Sequence, residues 1–153
     1  MFDVNFQNAK QALENYCAYQ ERCSYEVYKK LSDFHLNEKQ KNLIVIDLQK
    51  GNYFSDGRYC SAVVSGKFRM NKWGRLKIQA YLKQKNLPEA LICNALNELD
   101  ENEYFSTIGV LCERKSQEIK EKDTFKKHFK VVRYLLSKGF EYELIKEFVN
   151  SNS

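Results

Sequence analysis

Apolar positions along this chain recur with a spacing of fifty-odd residues. Val27, Leu31, Leu36, Val45, Leu48, Tyr53 and Phe54 reappear 51 positions on as Ile78, Leu82, Leu87, Leu96, Leu99, Tyr104 and Phe105. A third copy follows after 53 positions, where Ile78, Leu82, Leu87, Leu91 and Ile92 become Val131, Leu135, Phe140, Leu144 and Ile145. A fixed period of this length marks stacked copies of one supersecondary unit. Each copy is too small to bury its own apolar face, so function is expected on the surface the stack presents.

Within each copy the apolar spacing is helical. Ala9, Ala12, Leu13 and Tyr16 line one face of a first helix over 8–20, and Ser24 is placed to cap a second that carries Val27, Tyr28 and Leu31. Asn37 with Gln40 three residues on makes a capping box for a third helix, and Gly51 follows its end. In the second copy Ser55 caps a helix with Tyr59, Cys60, Val63 and Val64, and a helix over 75–84 buries Ile78, Tyr81 and Leu82. Pro88 suits the first position of the next helix, where its missing N–H costs nothing. Helices over 102–119, 124–138 and 141–150 complete the third copy, with Gly139 as a left-handed stop. One proline and six glycines agree with helix throughout. The expected fold is all-α: an elongated, curved array of three tandem three-helix repeats over 1–54, 55–102 and 103–153.

Composition narrows the class. Hydrophobic residues at 43% suffice for a core and charged residues at 29% favour a soluble protein. No apolar run approaches the roughly 18 residues of a membrane span, and residues 1–5 lack the basic and apolar regions of an export signal. Five cysteines, odd in number and without a C-x-x-C pair, read as free, mostly buried thiols in a reducing cytoplasm. His35 and His128 are the only imidazoles, so neither a zinc site nor any other cofactor is expected. Neither has a neighbouring nucleophile, and no P-loop, nucleophile elbow or H-E-x-x-H pair occurs, which argues against an enzyme.

The net charge of +5 is banded along the chain. Residues 57–88 carry eight bases (Arg58, Lys67, Arg69, Lys72, Arg75, Lys77, Lys83, Lys85) and no acid, whereas 89–119 carry seven acids against two bases. Such banding creates local fields that the average hides. The segment 66–77 interleaves its cations with Phe68 and Trp73, a pattern able to neutralise phosphate and stack on an unpaired base; a tryptophan at a helix junction serves equally as core. In the helix over 124–138, Lys126, Lys130 and Arg133 form a stripe with Lys127 beside it, while Phe125, Phe129, Val132, Leu135 and Leu136 are assigned to the core side. Asp56, after Ser55 at a helix start, fits the positive end of the helix dipole.

Three segments resemble the RecX family, bacterial regulators of the RecA recombinase. The segment 22–31 (RCSYEVYKKL) is similar to the family's R-x-[SR]-x-x-E-L-x-x-K-L stretch, with loose spacing. The segment 51–60 (GNYFSDGRYC) resembles G-Y-[LI]-[DN]-D-x-R-[FY]-A, the most specific of the three. The segment 72–85 (KWGRLKIQAYLKQK) resembles K-x-G-x-x-[KR]-I-x-x-E-L-x-x-K. Asp33-Phe34-His35 and Lys85-Asn86 stand where the family usually has Lys-Gly, a turn kept at Lys138-Gly139.

The resemblance implies tandem three-helix units that lie in the groove of the RecA–DNA filament. There they would inhibit strand exchange, ATP hydrolysis and repressor cleavage in DNA repair and the SOS response. The expected partners are therefore the RecA filament and single- or double-stranded DNA, met by a cytoplasmic monomer that does not associate with membranes. Charge clustering nominates Arg58, Lys67, Arg69, Lys72, Trp73, Arg75, Lys77, Lys126, Lys127, Lys130 and Arg133 as contacts. Two other readings remain open: a free-standing nucleic-acid-binding helical repeat, and a protein-binding scaffold.

Overall fold

The computed structural model describes residues 4–151; Met1–Asp3, part of the stretch read for an export signal, lie outside them. Among the described residues there are nine α-helices and no strand: α1 (Val4–Tyr19), α2 (Ser24–Leu31), α3 (Glu38–Lys50), α4 (Asp56–Asn71), α5 (Arg75–Lys83), α6 (Glu89–Asn97), α7 (Glu101–Glu118), α8 (Thr124–Ser137) and α9 (Tyr142–Ser151). The main helix–helix packing falls within the triplets α1–α3, α4–α6 and α7–α9. The fold is all-α, built of three-helix units. No helix among the described residues is long and apolar enough to cross a membrane.

The repeat fixes the packing of the middle helix of each triplet. Val27, Ile78 and Val131 are buried at equivalent places, as are Leu31, Leu82 and Leu135 one turn on. The equivalence fails at its end. Tyr53 lies exposed in the linker after α3, whereas Tyr104 is fully buried inside α7. The cause is length: α6 has 9 residues where α3 has 13, so the following helix begins earlier.

Local signals set most helix ends. The Asn37–Gln40 capping box forms, and Ser55 accepts from the Arg58 N–H. Gly139 takes the left-handed conformation at φ 95°, and Asn86 does so at φ 55°. Three helix starts differ from the sequence reading by more than their exact bounds. α1 starts at Val4, because Phe6 extends the buried stripe of Ala9, Leu13 and Cys17 by a turn. Cys23 rather than Ser24 is the N-cap of α2, since the Ser24 hydroxyl is bound elsewhere. Pro88 is the N-cap of α6, one residue before its first turn. Gly51 follows the end of α3 as read, and the positive φ there falls on Asn52.

The apolar interior is divided in two. Phe6, Leu13, Val27, Leu31, Ile44, Leu48 and Phe54 fill the first triplet alone, so this copy, against the expectation from its size, buries an apolar face of its own. The second and third triplets share one continuous core, running from Tyr59 and Phe68 through Tyr104 to Phe140 and Val149. Cys23 at the start of α2 belongs to this larger core and joins the first triplet to it.

Candidate nucleic-acid and protein interface

The boundary between the second and third triplets is built from backbone. The first N–H groups of a helix have no partner inside it, nor do its last carbonyls. At the start of α5, the Gly74 N–H donates to the Lys138 carbonyl at 2.7 Å and the Leu76 N–H to the Gly139 carbonyl at 3.0 Å. Between them the Arg75 N–H donates to the Tyr104 hydroxyl at 3.0 Å. The end of α8 thus supplies acceptors to the beginning of α5. A Cβ on Gly74 would overlap the Gly139 carbonyl, and one on Gly139 would overlap Lys77. Both glycines are required by this approach.

Arg75 therefore belongs to the junction. Its guanidinium meets Glu101 at 2.7 Å and Glu141 at 2.9 Å, and lies 3.9 Å from the Tyr104 ring centroid. Burial acts to lower its pKa, but the hydrogen bonds it donates to Glu141 and Glu101 outweigh this and the net shift is upward. The Tyr104 hydroxyl donates to Glu141, and burial followed by that bond raises its pKa. Phe68, interleaved in sequence with the cations of 66–77, is buried and stacks on Tyr104 with centroids 5.6 Å apart. No nucleic-acid base can reach it.

Trp73 is half-buried. Lys67 and Lys77 place their ammonium groups 4.8 and 4.5 Å from its ring centroid, and Tyr81 meets it edge-on at 5.9 Å. The ring is held by cations of its own chain, and these two lysines share one small surface with it. Arg69 and Lys72 are exposed at the end of α4, where Lys72 is itself the left-handed cap and Arg69 stands 4.0 Å from Glu103. At that distance and exposure the pair contributes little and leaves Arg69 available.

The boundary between the first and second triplets uses side chains at the corresponding places. Asp56, the first residue of α4, accepts from the Ser24 N–H at 2.7 Å and from the Ser24 hydroxyl at 3.0 Å. It thus caps α2 from another triplet besides sitting at its own helix start. Arg58 binds Glu21 at 2.9 Å and the Asn52 carbonyl at 2.9 Å, while Lys85 lies 3.5 Å from Glu26. The structure places Arg58 in this seam.

The face of α8 differs most from its sequence reading. Val131 and Leu135 alone are fully buried, with Val132 and Tyr134 half-buried. Phe125 and Phe129, assigned to the core, are 81% and 57% exposed, and Leu136 is exposed too. Lys126, Lys130 and Arg133 share that outer face. Lys127 instead turns inward with His128, lining a cleft of about 840 Å³ between α7, α8 and α9. The repeat carried part of the signal: 53 positions back from Phe125 stands a lysine, Lys72, although Phe129 pairs with the apolar Leu76.

Two RecX family models match the chain: "RecX, second three-helix domain" over residues 55–96 and "RecX, third three-helix domain" over 101–149. This chain belongs to the RecX family. The two matches coincide with the second and third triplets, and α1–α3 lie outside both. The regulatory protein RecX of Clostridioides difficile (strain 630) is 30% identical over 125 residues, covering 80% of this chain and 59% of the relative. That of Clostridium botulinum (strain Eklund 17B / Type B) is 34% identical over 105 residues, covering 67% of this chain and 48% of the relative. The chain spans little more than half the length of the first of these and about half of the second. Against the crystal structure of RecX from Lactobacillus salivarius the TM-score is 0.86 at 22% identity, with 96% of each chain covered. A second RecX crystal structure gives 0.84 at 21% identity, covering 96% of this chain and 73% of the other. The RecX arrangement of three-helix units is thus shared.

Proposed function

We propose that this chain is a RecX-type regulator that binds the RecA–DNA filament in the cytoplasm as a monomer and inhibits strand exchange, ATP hydrolysis and coprotease action. It acts by binding and has no catalytic role. The observation that carries this reading is the presence of exposed cations on both family-matched triplets: Arg69 and Lys72 at the end of α4, and Lys126, Lys130 and Arg133 along α8. Two separated cationic surfaces on one molecule suit a polyanionic filament with a protein coat, where one contact meets phosphate and another an acidic protein face. Arg58 and Arg75, drawn into the seams between triplets, orient those surfaces rather than forming them.

The test is RecA ATP hydrolysis and strand exchange on single-stranded DNA, titrated with this protein at substoichiometric ratios. Inhibition that weakens in the Lys126→Glu/Lys130→Glu/Arg133→Glu variant supports the reading. An unaffected cognate recombinase removes it. The exposed rings beside the α8 cations favour a second reading, a nucleic-acid-binding protein that acts without RecA. That reading requires tight binding to bare DNA, with a loss of roughly 10³–10⁵ in affinity between 50 and 200 mM salt if six to ten phosphates are met.

A further inference from the structure

We propose that the outer face of α8 is a single-stranded nucleic-acid site, in which Phe125 and Phe129 stack on unpaired bases while Lys126, Lys130 and Arg133 hold the flanking phosphates. This deepens the DNA-binding part of the proposed function.

Phe125 and Phe129 are exposed one turn apart on a helix whose core contacts are made by other residues, Val131 and Leu135. Large apolar rings left open beside solvent mark an interaction surface. Their surroundings say of what kind. Lys126 and Lys130 each follow a ring directly in sequence, and the Arg133 guanidinium lies 5.8 Å from the Phe129 centroid. A ligand meeting this pattern must offer negative charge and flat π faces in alternation, which is the chemistry of a nucleic-acid strand.

Geometry selects an unpaired strand. Four residues of helix rise about 6 Å, well above the step of about 3.4 Å between bases along one strand of a duplex. Residues so spaced along the helix suit bases of an extended strand, whereas a duplex hides its base faces altogether. Between the rings is a cleft of about 400 Å³ lined by Glu121, Phe125, Lys126, Phe129 and Lys130. Glu121, one of these lining residues, holds Lys130 at 3.2 Å. A carboxylate there repels phosphate from the cleft itself and leaves it to a neutral base, with phosphates kept to the outer cations. The Glu121–Lys130 pair is half-exposed, so an incoming phosphate displaces it at little cost.

The experiment is fluorescence anisotropy with three labelled probes: a 20-nucleotide oligothymidylate, an abasic strand of equal length, and a duplex. Phe125→Ala and Phe129→Ala are each expected to weaken oligothymidylate binding about tenfold. Phe125→Leu, which keeps apolar bulk without a π face, should lose as much. Binding to the abasic strand should be weaker at the outset and unchanged by these variants. Lys126→Ala and Lys130→Ala should weaken both strands and flatten the salt dependence. The rings are exposed, so folding is retained and circular dichroism checks it. Oligothymidylate binding unaffected by loss of the rings overturns the proposal in favour of a phosphate contact alone. So does absence of oligothymidylate binding by the unaltered protein; relief of RecA inhibition in the Phe variants would then make the face a protein-docking surface. Ring-dependent oligonucleotide binding by a protein that leaves RecA unaffected would remove the filament reading and keep this site.

Discussion

The guanidinium of Arg75 and the carboxylate of Glu141, 66 positions apart in the chain, lie 2.9 Å from one another and tie α5 to the start of α9. Glu141 also accepts from the Tyr104 hydroxyl, and Arg75 also reaches Glu101. Removal of Arg75 leaves the partly buried Glu141 carboxylate with the Tyr104 hydroxyl but without a counter-charge. Arg75→Ala is therefore expected to cost about 2–3 kcal/mol in urea unfolding. Arg75→Ala/Glu141→Gln, in which the stranded charge is also gone, should be less destabilised than the single variant. A contact made only with DNA or a partner would leave unfolding unchanged in Arg75→Ala.

Two glycines in adjoining helical elements separate packing from propensity. Gly66 lies within α4 with open space where a Cβ would point, and Gly66→Ala should stabilise by about 0.5–1 kcal/mol through helix propensity. Gly74→Ala meets the Gly139 carbonyl instead, in backbone that cannot step aside without breaking the hydrogen bonds to Lys138 and Gly139. It should destabilise by about 2–4 kcal/mol. Thermal unfolding of the pair decides the matter, since equal shifts would show that the α5–α8 approach is soft.

All five cysteines are thiols; Cys93 is exposed and the other four are buried. An aromatic disulfide reagent should titrate one thiol in the native protein and five in denaturant, and Cys93→Ser should abolish the native reaction. Burial, then the nearby charges of Asp56 and Cys23, pushes the Cys60 thiol up to about 11. Between the ordinary thiol pKa and that value the unfolded chain has lost a proton that the folded chain retains. Stability contributed by Cys60 is complete below pH about 9 and falls as pH rises towards about 11. Urea titrations across this range should show a shallower decline in Cys60→Ala than in the unaltered chain.

Much of the fold is legible in the sequence because its signals are local. Asn37 with Gln40, Ser55 and Gly139 each act within one turn of helix, and nothing distant overrides them. Asn86 shows why a glycine is needed only sometimes: it adopts the left-handed turn alone, whereas Gly139 must also admit Lys77. The candidate surface is less legible. On α8 apolar residues occupy two arcs, and period alone does not tell which one meets α7 and α9; the repeat register does, through Val131 and Leu135. Arg58 and Arg75 read as free cations because their carboxylate partners are 37, 26 and 66 positions away. Long-range pairing of that kind leaves no trace in a charge count.

Synthesis runs from the N-terminus, and domains fold as units while the remainder is still being made. The interior of α1–α3 is complete once Phe54 has emerged from the ribosome. The other interior needs Phe140, Ile145 and Val149 beside Tyr59 and Phe68. For the whole interval between, α4 to α6 wait with apolar surface uncovered and α5 lacks the acceptors of α8. The nascent chain therefore carries one finished body and one unfinished body, and it is during this interval that chaperone capture or misassociation would find it.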